Sequence, residues 1–202
     1  MTDRTPTPRT SYIAQLHGIE RALNSGIQKR VAGARHDLAL LRRSLTGGRQ
    51  AEAYEVVFRD AMPDRSQEQE VWVLVGGLFA LHPSPWRDAG RIRSIGASMG
   101  LLSKKAPNAA TVTRRFTQLL GRSPAALPYD LRQAVRLLAD HGVPVHYGRL
   151  LDDLVVLLGK EPRGERASEV RLTWAREYHL PRTATTTTEP AEPGSTALEN
   201  TP

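Results

Sequence analysis

The sequence predicts an all-α protein of about nine helices, and three observations support this fold class. Apolar residues recur at three- and four-residue steps along most of the chain, which is the period of an amphipathic helix. No stretch shows the sustained period-two alternation that is typical of a half-buried strand. Gly and Pro residues interrupt the helical pattern repeatedly, and we expect the connections between helices at these points.

The Gly and Pro interruptions set the bounds of the predicted helices. They are Gly47-Gly48, Pro63-Asp64, His82-Pro83, Ala106-Pro107, Gly142 to Pro144 and Pro162 to Gly164. The predicted helices cover residues 11–24, 27–45, 50–61, 67–81, 89–102, 108–121, 124–140, 147–159 and 165–179.

Two small packed helical bundles are predicted, divided near the connection at residues 103–108. The N-terminal bundle covers residues 10–105 and the C-terminal bundle covers residues 106–180. Residues 1–9 and 181–202 are polar and rich in Pro and Thr, so they bury too little apolar surface to offset the entropy of the chain. Both ends are therefore predicted to be disordered tails.

The helix predicted at residues 67–81 is apolar on every side from Val71 onward, which indicates a helix buried all round. Trp72 and Phe79, seven residues apart on one face, are predicted core residues. Gly76 and Gly77 each cost about 1 kcal/mol relative to Ala in a helix. We expect them where a neighbouring backbone passes close to this helix.

Two further helices carry apolar stripes that predict how they pack. In the helix at residues 27–45, a straight apolar seam follows alternating four- and three-residue steps. It consists of Ile27, Val31, Ala34, Leu38, Leu41 and Leu45. In the last helix, Val170, Trp174 and Tyr178 follow one another at four-residue steps and predict the face that docks on the rest of the protein.

Positive charge is concentrated in two segments of the chain. The 202 residues carry 28 Lys plus Arg against 21 Asp plus Glu, a formal net charge of +7. Residues 87–122 hold eight of these cations against Asp88 alone, and residues 1–49 hold nine against three carboxylates. Such a concentration is typical of a surface that follows a phosphate backbone.

The helix at residues 108–121 displays this charge most clearly. At 100° per residue, Arg114 falls opposite the apolar stripe and Arg115 lies on its flank. Arg115 and Arg122 are seven residues apart, or about 10 Å along a helix axis, a spacing that engages non-adjacent phosphates. The predicted buried stripe consists of Val112, Phe116, Leu119 and Leu120.

Catalysis and cofactor binding find no support in the sequence. The chain has no cysteine, and the HExxH, Walker A and GxGxxG motifs are absent. His36-Asp37 matches the dipeptide of metal phosphohydrolases, but no further ligands are spaced to complete a metal site. Asp152 and Asp153 point about 100° apart on a helix, and we expect both to be solvated. We therefore predict no enzyme activity, no cofactor and no metal.

A cytoplasmic protein without a membrane association is predicted. The N-terminal stretch "MTDRTPTPRT" lacks the apolar core of a signal peptide. The most apolar run, residues 71–81, is about half the length that spans a bilayer.

One function that a short stretch of the sequence suggests is sequence-specific DNA binding. The stretch "RRFTQLLGRSPAAL" is similar to the end of the recognition helix and the following turn of AraC-type regulators. Thr117 and Gln118 could contact base edges. A second helix-turn-helix and a sensor domain, which those regulators require, are not evident in the chain.

A resemblance of wider extent runs from about residue 12 to residue 180. The segments "VWVLVGGLFALHPSP", "TVTRRFTQLL", "LRQAVRLL", "VHYGRLLDDLVVLLG" and "VRLTWAREYHLP" occur in the order and spacing of the CasB-type small subunit of the type I-E CRISPR Cascade complex. The stretch "ALLRRSL" resembles that family's early Leu-Arg-Arg element. One departure is His146-Tyr147, where members commonly have Asp-Trp, and both are interpreted as packing positions.

The resemblance implies a non-catalytic, all-helical subunit, present in two copies beside other Cascade protein subunits. It also implies a basic face that binds the crRNA–target DNA R-loop, including the displaced single strand, through the nucleic-acid backbone. By position within the family pattern, the binding residues are Arg42, Arg43, Arg114, Arg115, Arg122 and Arg132. Charge density alone adds Lys104, Lys105 and Arg136.

The backbone-binding hypothesis makes a structural demand. Arg42, Arg43, Arg114 and Arg115 should belong to one continuous cationic surface and should not be bound to carboxylates. A third possibility is a pure scaffold, in which the basic faces dock acidic protein neighbours instead of nucleic acid.

Overall fold

A computed structural model of the chain describes residues 6–63, 65–86 and 93–180. The fold of these residues is all-α, which confirms the predicted class. Within them, a 3-10 turn at Ser66–Glu68 precedes the fourth helix, and the only β-type pairing is an isolated parallel bridge between Pro85 and Val145. The nine helices are α1 (Pro8–Leu23), α2 (Gln28–Arg43), α3 (Ala51–Val57), α4 (Gln69–Leu81), α5 (Ile95–Lys105), α6 (Ala109–Gly121), α7 (Leu127–Asp140), α8 (Tyr147–Leu157) and α9 (Glu165–His179).

The first helix begins earlier than the sequence pattern predicts. The Thr7 side chain caps α1 by accepting a hydrogen bond from the Thr10 N–H, and Pro8 suits the first helical position. Pro8 and Arg9, predicted to belong to the N-terminal tail, are therefore helical. The tail predictions for residues 1–5 and 181–202 lie outside the described residues.

Helix α4 lies at the centre of the fold, and its predicted core residues are confirmed. Trp72 and Phe79 are fully buried. Tyr12 of α1 stacks on Trp72 with ring centroids 4.6 Å apart and donates its hydroxyl to the Trp72 carbonyl oxygen at 2.9 Å. Phe79 packs edge-on against Tyr147 of α8, with centroids 5.1 Å apart. Helix α4 thus joins elements from both halves of the chain.

The glycine pair in α4 permits close packing, but its neighbours are side chains. A Cβ at Gly76 would overlap the hydroxyl of Tyr12, and one at Gly77 would overlap the side chain of Leu45. The prediction that a backbone passes close to this pair is therefore wrong.

Close backbone approach occurs instead between α5 and α9. A Cβ at Gly96 would collide with the carbonyl group of Trp174, and one at Gly100 would collide with the carbonyl group of Tyr178. The two glycines are four residues apart and therefore share one face of α5. They allow α9 to lie directly against this helix.

The predicted apolar stripe of α9 is confirmed. That of α2 is confirmed except at its start, where Ile27 is half exposed and Val31 is only partly buried. Leu38 and Leu41 of α2 are buried, as are Val170, Trp174 and Tyr178 of α9. These stripes belong to one hydrophobic core that includes residues of all nine helices. The division into two bundles near residue 105 stays a prediction. Across the described residues, no helix is both long enough and apolar enough to cross a membrane.

The departure at His146-Tyr147 concerns packing positions, as interpreted. The His146 side chain caps α8 by accepting a hydrogen bond from the Arg149 N–H at 3.0 Å, and burial lowers the pKa of its imidazole. Tyr147 is fully buried and donates its hydroxyl to the His82 carbonyl oxygen at 2.5 Å.

Candidate nucleic-acid interface

Helix α6 presents an arginine pair to solvent. The Asn108 side chain begins the helix by accepting a hydrogen bond from the Thr111 N–H at 3.1 Å. Phe116 then stacks on Tyr178 of α9 with ring centroids 4.2 Å apart, which fixes the rotation of α6. Arg114 and Arg115 are consequently exposed, and neither forms an ion pair with a described carboxylate. The predicted stripe of α6 is buried at Val112, Phe116 and Leu119, and Leu120 is partly buried.

Three other predicted cations are likewise exposed and without an ion pair among the described residues. Lys104 and Lys105 end α5, and only a short connection separates them from the start of α6. Arg136 lies on α7, the helix that follows α6. All three side chains are exposed and have no ion pair within the described part of the chain.

Arg122 is only partly available to a ligand. It caps the C-terminus of α6, and its Nε donates to a carboxylate oxygen of Asp130 on α7. The Arg122 side chain remains 44% exposed. Its two Nη groups are still able to donate hydrogen bonds outward.

Arg132 connects two segments of the fold. Its Nη1 donates to the backbone carbonyl oxygen of Leu45, which follows the end of α2, and its Nε is buried without a partner among the described residues. The side chain is half-buried. Arg132 therefore holds α7 beside the C-terminal end of α2, and much of its guanidinium is used within the protein.

The arginine pair of α2 differs from that of α6. Arg42 donates from Nε to the Ala80 carbonyl oxygen at 2.8 Å. Arg43 forms an ion pair with Glu52 of α3 at 2.7 Å, with its side chain 51% exposed. The expectation that all four arginines are free of carboxylates is therefore wrong for Arg43. It holds, within the described residues, for the α6 pair.

Asp37 of the His36-Asp37 dipeptide has a structural role. Both carboxylate oxygens of Asp37 accept hydrogen bonds from Arg59, at 2.8 and 2.9 Å, and this contact raises the pKa of the Arg59 guanidinium. Among the residues that the structure describes, no group of three or more potential ligands is placed to hold a metal ion.

Asp153 contradicts the prediction that both aspartates of α8 are solvated. Its side chain is buried and accepts hydrogen bonds from Trp174 Nε1 at 2.6 Å and from Arg149 Nε at 2.8 Å. Burial raises the pKa of this carboxyl, although both hydrogen bonds oppose the shift. Asp152, the neighbouring residue, is exposed as predicted. Asp153 thus links α8 to α9.

The structure adds two cations that the charge count did not select. Arg163 and Arg171 line a surface cavity together with Arg122. The sequence around them contains Glu161, Glu165 and Glu169, so the segment is close to neutral in sum. A charge count by segment therefore does not reveal them. Within the described residues, neither arginine forms an ion pair with these glutamates.

Comparison with known proteins decides the family. A family model described as CRISPR-associated protein Cse2 matches residues 37–179, which include α6 and every predicted basic residue. The chain belongs to the CRISPR-associated protein Cse2 family. The matched range also contains residues 114–127, the stretch on which the similarity to AraC-type regulators depends.

Individual Cse2 relatives agree with this assignment. The CRISPR-associated protein Cse2 of Thermus thermophilus is 32% identical over 116 residues, which are 57% of this chain and 59% of that protein. The chain thus spans less than two thirds of this curated relative.

Solved structures match over a longer range. The crystal structure of CasB from Thermus thermophilus has a TM-score of 0.58 and 29% identity, covering 83% of this chain and 97% of that chain. A chain of a CRISPR RNA-guided surveillance complex has a TM-score of 0.61 at 21% identity, covering 87% and 94%. The latter similarity concerns the fold. The resemblance to CasB-type small subunits is confirmed by the family model and the Thermus thermophilus matches.

Proposed function

We propose that this Cse2-family chain is the non-catalytic small subunit of a cytoplasmic RNA-guided Cascade complex. In this role its basic surface binds the sugar–phosphate backbone of the R-loop, independently of base sequence, in antiviral defence. The observation that carries the proposal is the set of exposed cations without ion pairs among the described residues of α5, α6 and α7. They are Lys104, Lys105, Arg114, Arg115 and Arg136.

The energetics of the R-loop explain why such a surface is sufficient. The guide–target heteroduplex is about as stable as the DNA duplex that it replaces, so strand exchange is nearly balanced. A few phosphate contacts then shift the equilibrium toward the open state. Because base pairing with the guide already selects the sequence, the subunit needs contacts that position the backbone and none that read bases.

The availability of the α6 arginines follows from the local sequence. No Asp or Glu occurs between Asp88 and Asp130, so neighbouring residues offer no carboxylate to Arg114 or Arg115. The stacking of Phe116 on Tyr178 holds these arginines outward. The guanidinium groups therefore reach a phosphate without first breaking an internal ion pair. Breaking such a pair would reduce the net free energy of binding.

The test compares two double variants that remove equal charge. Arg114→Ala with Arg115→Ala removes the α6 pair. Arg21→Ala with Lys160→Ala removes two exposed cations that have no ion pair in the described chain and lie outside the predicted set. Binding to several unrelated DNA sequences is measured by fluorescence anisotropy over a salt series from about 50 to 200 mM.

We expect the α6 variant to lose affinity by about 10- to 100-fold, equally for all sequences, and to lower the salt slope by about 2. The control variant should lose much less. A preferred DNA sequence would favour the regulator hypothesis. Normal DNA binding together with lost binding to the other Cascade subunits would favour the scaffold. In the assembled complex, the α6 variant should shorten the lifetime of the R-loop.

A further inference from the structure

A surface cavity of about 290 Å³ lies between the turn that joins α6 to α7 and the first turns of α9. Its lining contains three guanidinium groups, from Arg122, Arg163 and Arg171, and two hydroxyl groups, from Ser123 and Ser168. Among the described residues, no carboxylate belongs to the lining. Three like charges around one depression repel each other unless an anion is present.

Arg171 is held in position by the backbone of two different loops. Its Nη1 donates to the Pro162 carbonyl oxygen at 3.2 Å, and its Nη2 approaches the Arg122 carbonyl oxygen at 3.5 Å. The side chain is partly buried. A guanidinium has five N–H donors, so Arg171 keeps further donors for a ligand while its orientation is already fixed.

The other two arginines complete the cationic lining. The Asp130 carboxylate accepts a hydrogen bond from the Arg122 Nε and neutralises that guanidinium in part. The two Nη groups of Arg122 remain as donors for a ligand. Arg163 is exposed and has no ion pair among the described residues. The first turn of α9, whose N-cap Gly164 supplies no side-chain acceptor, adds the positive end of the helix dipole near the same cavity.

We propose that this cavity binds one phosphate group of a nucleic-acid backbone and extends the basic surface from α6 to α9. The ligand chemistry is a phosphate oxyanion, because fork-shaped guanidinium groups pair with it through two parallel hydrogen bonds. Arg122 joins the two parts of this surface, since it ends α6 and also lines the cavity. The proposal rests on the proposed function, which it deepens by naming a defined subsite.

The experiment uses the full chain and the single variant Arg163→Ala. Arg163 is exposed, and its side chain forms no hydrogen bond or ion pair within the described residues, so its removal should leave stability unchanged. Lys160→Ala is the matched control, because Lys160 is an exposed cation of the same connection but does not line the cavity. Arg171→Lys keeps the charge of the positioned residue and removes its fork.

Each variant is titrated with a short oligothymidylate and, separately, with inorganic phosphate. We expect Arg163→Ala to weaken oligothymidylate binding by about 3- to 10-fold and to lower the salt slope by about 1. Arg171→Lys should weaken it by a similar factor, whereas Lys160→Ala should change it by less than about twofold. Chemical shift changes at Ser168 and Arg171 on adding oligothymidylate should mark the site directly.

Unchanged oligothymidylate affinity in Arg163→Ala would overturn the proposal. The proposal would also be overturned if the cavity variants lost affinity for inorganic phosphate but kept their affinity for oligothymidylate. The ligand would then be a free anion. Lost binding to an acidic protein subunit alone would overturn it as well. If Arg163→Ala has no effect but the Arg114 and Arg115 double variant loses DNA affinity as expected, only the cavity proposal is rejected. If neither variant loses DNA affinity, the proposed function is rejected as well.

Discussion

Two Arg-Arg dipeptides lie on two helices of this protein, and the tertiary structure uses them differently. Arg42 and Arg43 at the end of α2 are engaged by the Ala80 carbonyl and by Glu52. Arg114 and Arg115 in the middle of α6 have no ion pair in the described chain. The same sequence signal thus gives one pair that stabilises the fold and one pair that is available to a ligand.

The difference comes from what packs beside each helix. Helix α3 runs next to α2 and supplies Glu52, and the C-terminal end of α4 supplies a free carbonyl group. Helix α6 packs against α5, α7 and α9, and Glu177 of α9 accepts a hydrogen bond from the backbone N–H of Ser94. A guanidinium binds a phosphate more readily when no internal partner must be given up.

The largest expected effect concerns Asp153, whose buried carboxyl accepts hydrogen bonds from two other side chains. Asp153→Ala leaves the buried Trp174 Nε1 and the Arg149 guanidinium without their acceptor. We expect the free energy of unfolding to fall by about 3 kcal/mol, measured by urea denaturation. A loss below about 1 kcal/mol would mean that Asp153 does not link α8 to α9 as described.

The pH dependence of the same residue provides a second measurement. Because burial raises the pKa of Asp153 above its usual 3.8, the unfolded chain releases this proton first as the pH rises. The free energy of unfolding of the unchanged protein, minus that of the Asp153→Asn variant, should therefore be greatest below pH 3.8. It should decrease as the pH rises through the raised pKa and then stay constant. A difference independent of pH would contradict the shift.

The next effect compares the two arginine pairs as nucleic-acid ligands. We expect Arg114→Ala with Arg115→Ala to reduce DNA affinity by about 10- to 100-fold. Arg42→Ala with Arg43→Ala should reduce it by less than about fivefold, because those cations already have partners in the protein. Fluorescence anisotropy at one fixed salt concentration measures both. Equal losses would mean that the internal contacts of Arg42 and Arg43 do not limit binding.

Stability should show the opposite order. Arg42→Ala with Arg43→Ala removes a hydrogen bond to Ala80 and an exposed ion pair with Glu52, for an expected loss of about 1 to 2 kcal/mol. The α6 double variant should stay within about 0.5 kcal/mol of the unchanged protein. Thermal and urea denaturation of both variants test this, and a destabilised α6 variant would argue that its arginines have structural partners.

The smallest effect should come from releasing Arg43. Glu52→Gln removes the negative charge that pairs with Arg43 but keeps the size of the side chain. We expect DNA affinity to rise by about two- to threefold at low salt and the gain to disappear at high salt. Glu55→Gln, an exposed glutamate on the same helix, is the control for the loss of one negative charge.

Several features of the fold could be read from the sequence because they depend on local periodicity. The buried stripes of α2, α4 and α9, including Leu41, Trp72 and Trp174, follow directly from three- and four-residue spacing. The exposed position of Arg114 opposite the stripe of α6 follows in the same way.

Other features depend on which elements meet, and no local pattern contains that information. The pairing of Asp37 with Arg59 and the burial of Asp153 beside Trp174 join residues that are 22 and 21 positions apart. The glycines that admit a neighbouring backbone are Gly96 and Gly100, and the pair in α4 that the sequence emphasised contacts side chains.

By itself, the sequence determined the helical class, the buried faces of the helices, the excess of positive charge and the resemblance to CasB-type subunits. Only the tertiary structure decided which cations remain free, because an ion pair depends on the distance between side chains and not on their order along the chain. It tied Arg43 to Glu52, left Arg115 exposed, and gathered Arg122, Arg163 and Arg171 around one cavity.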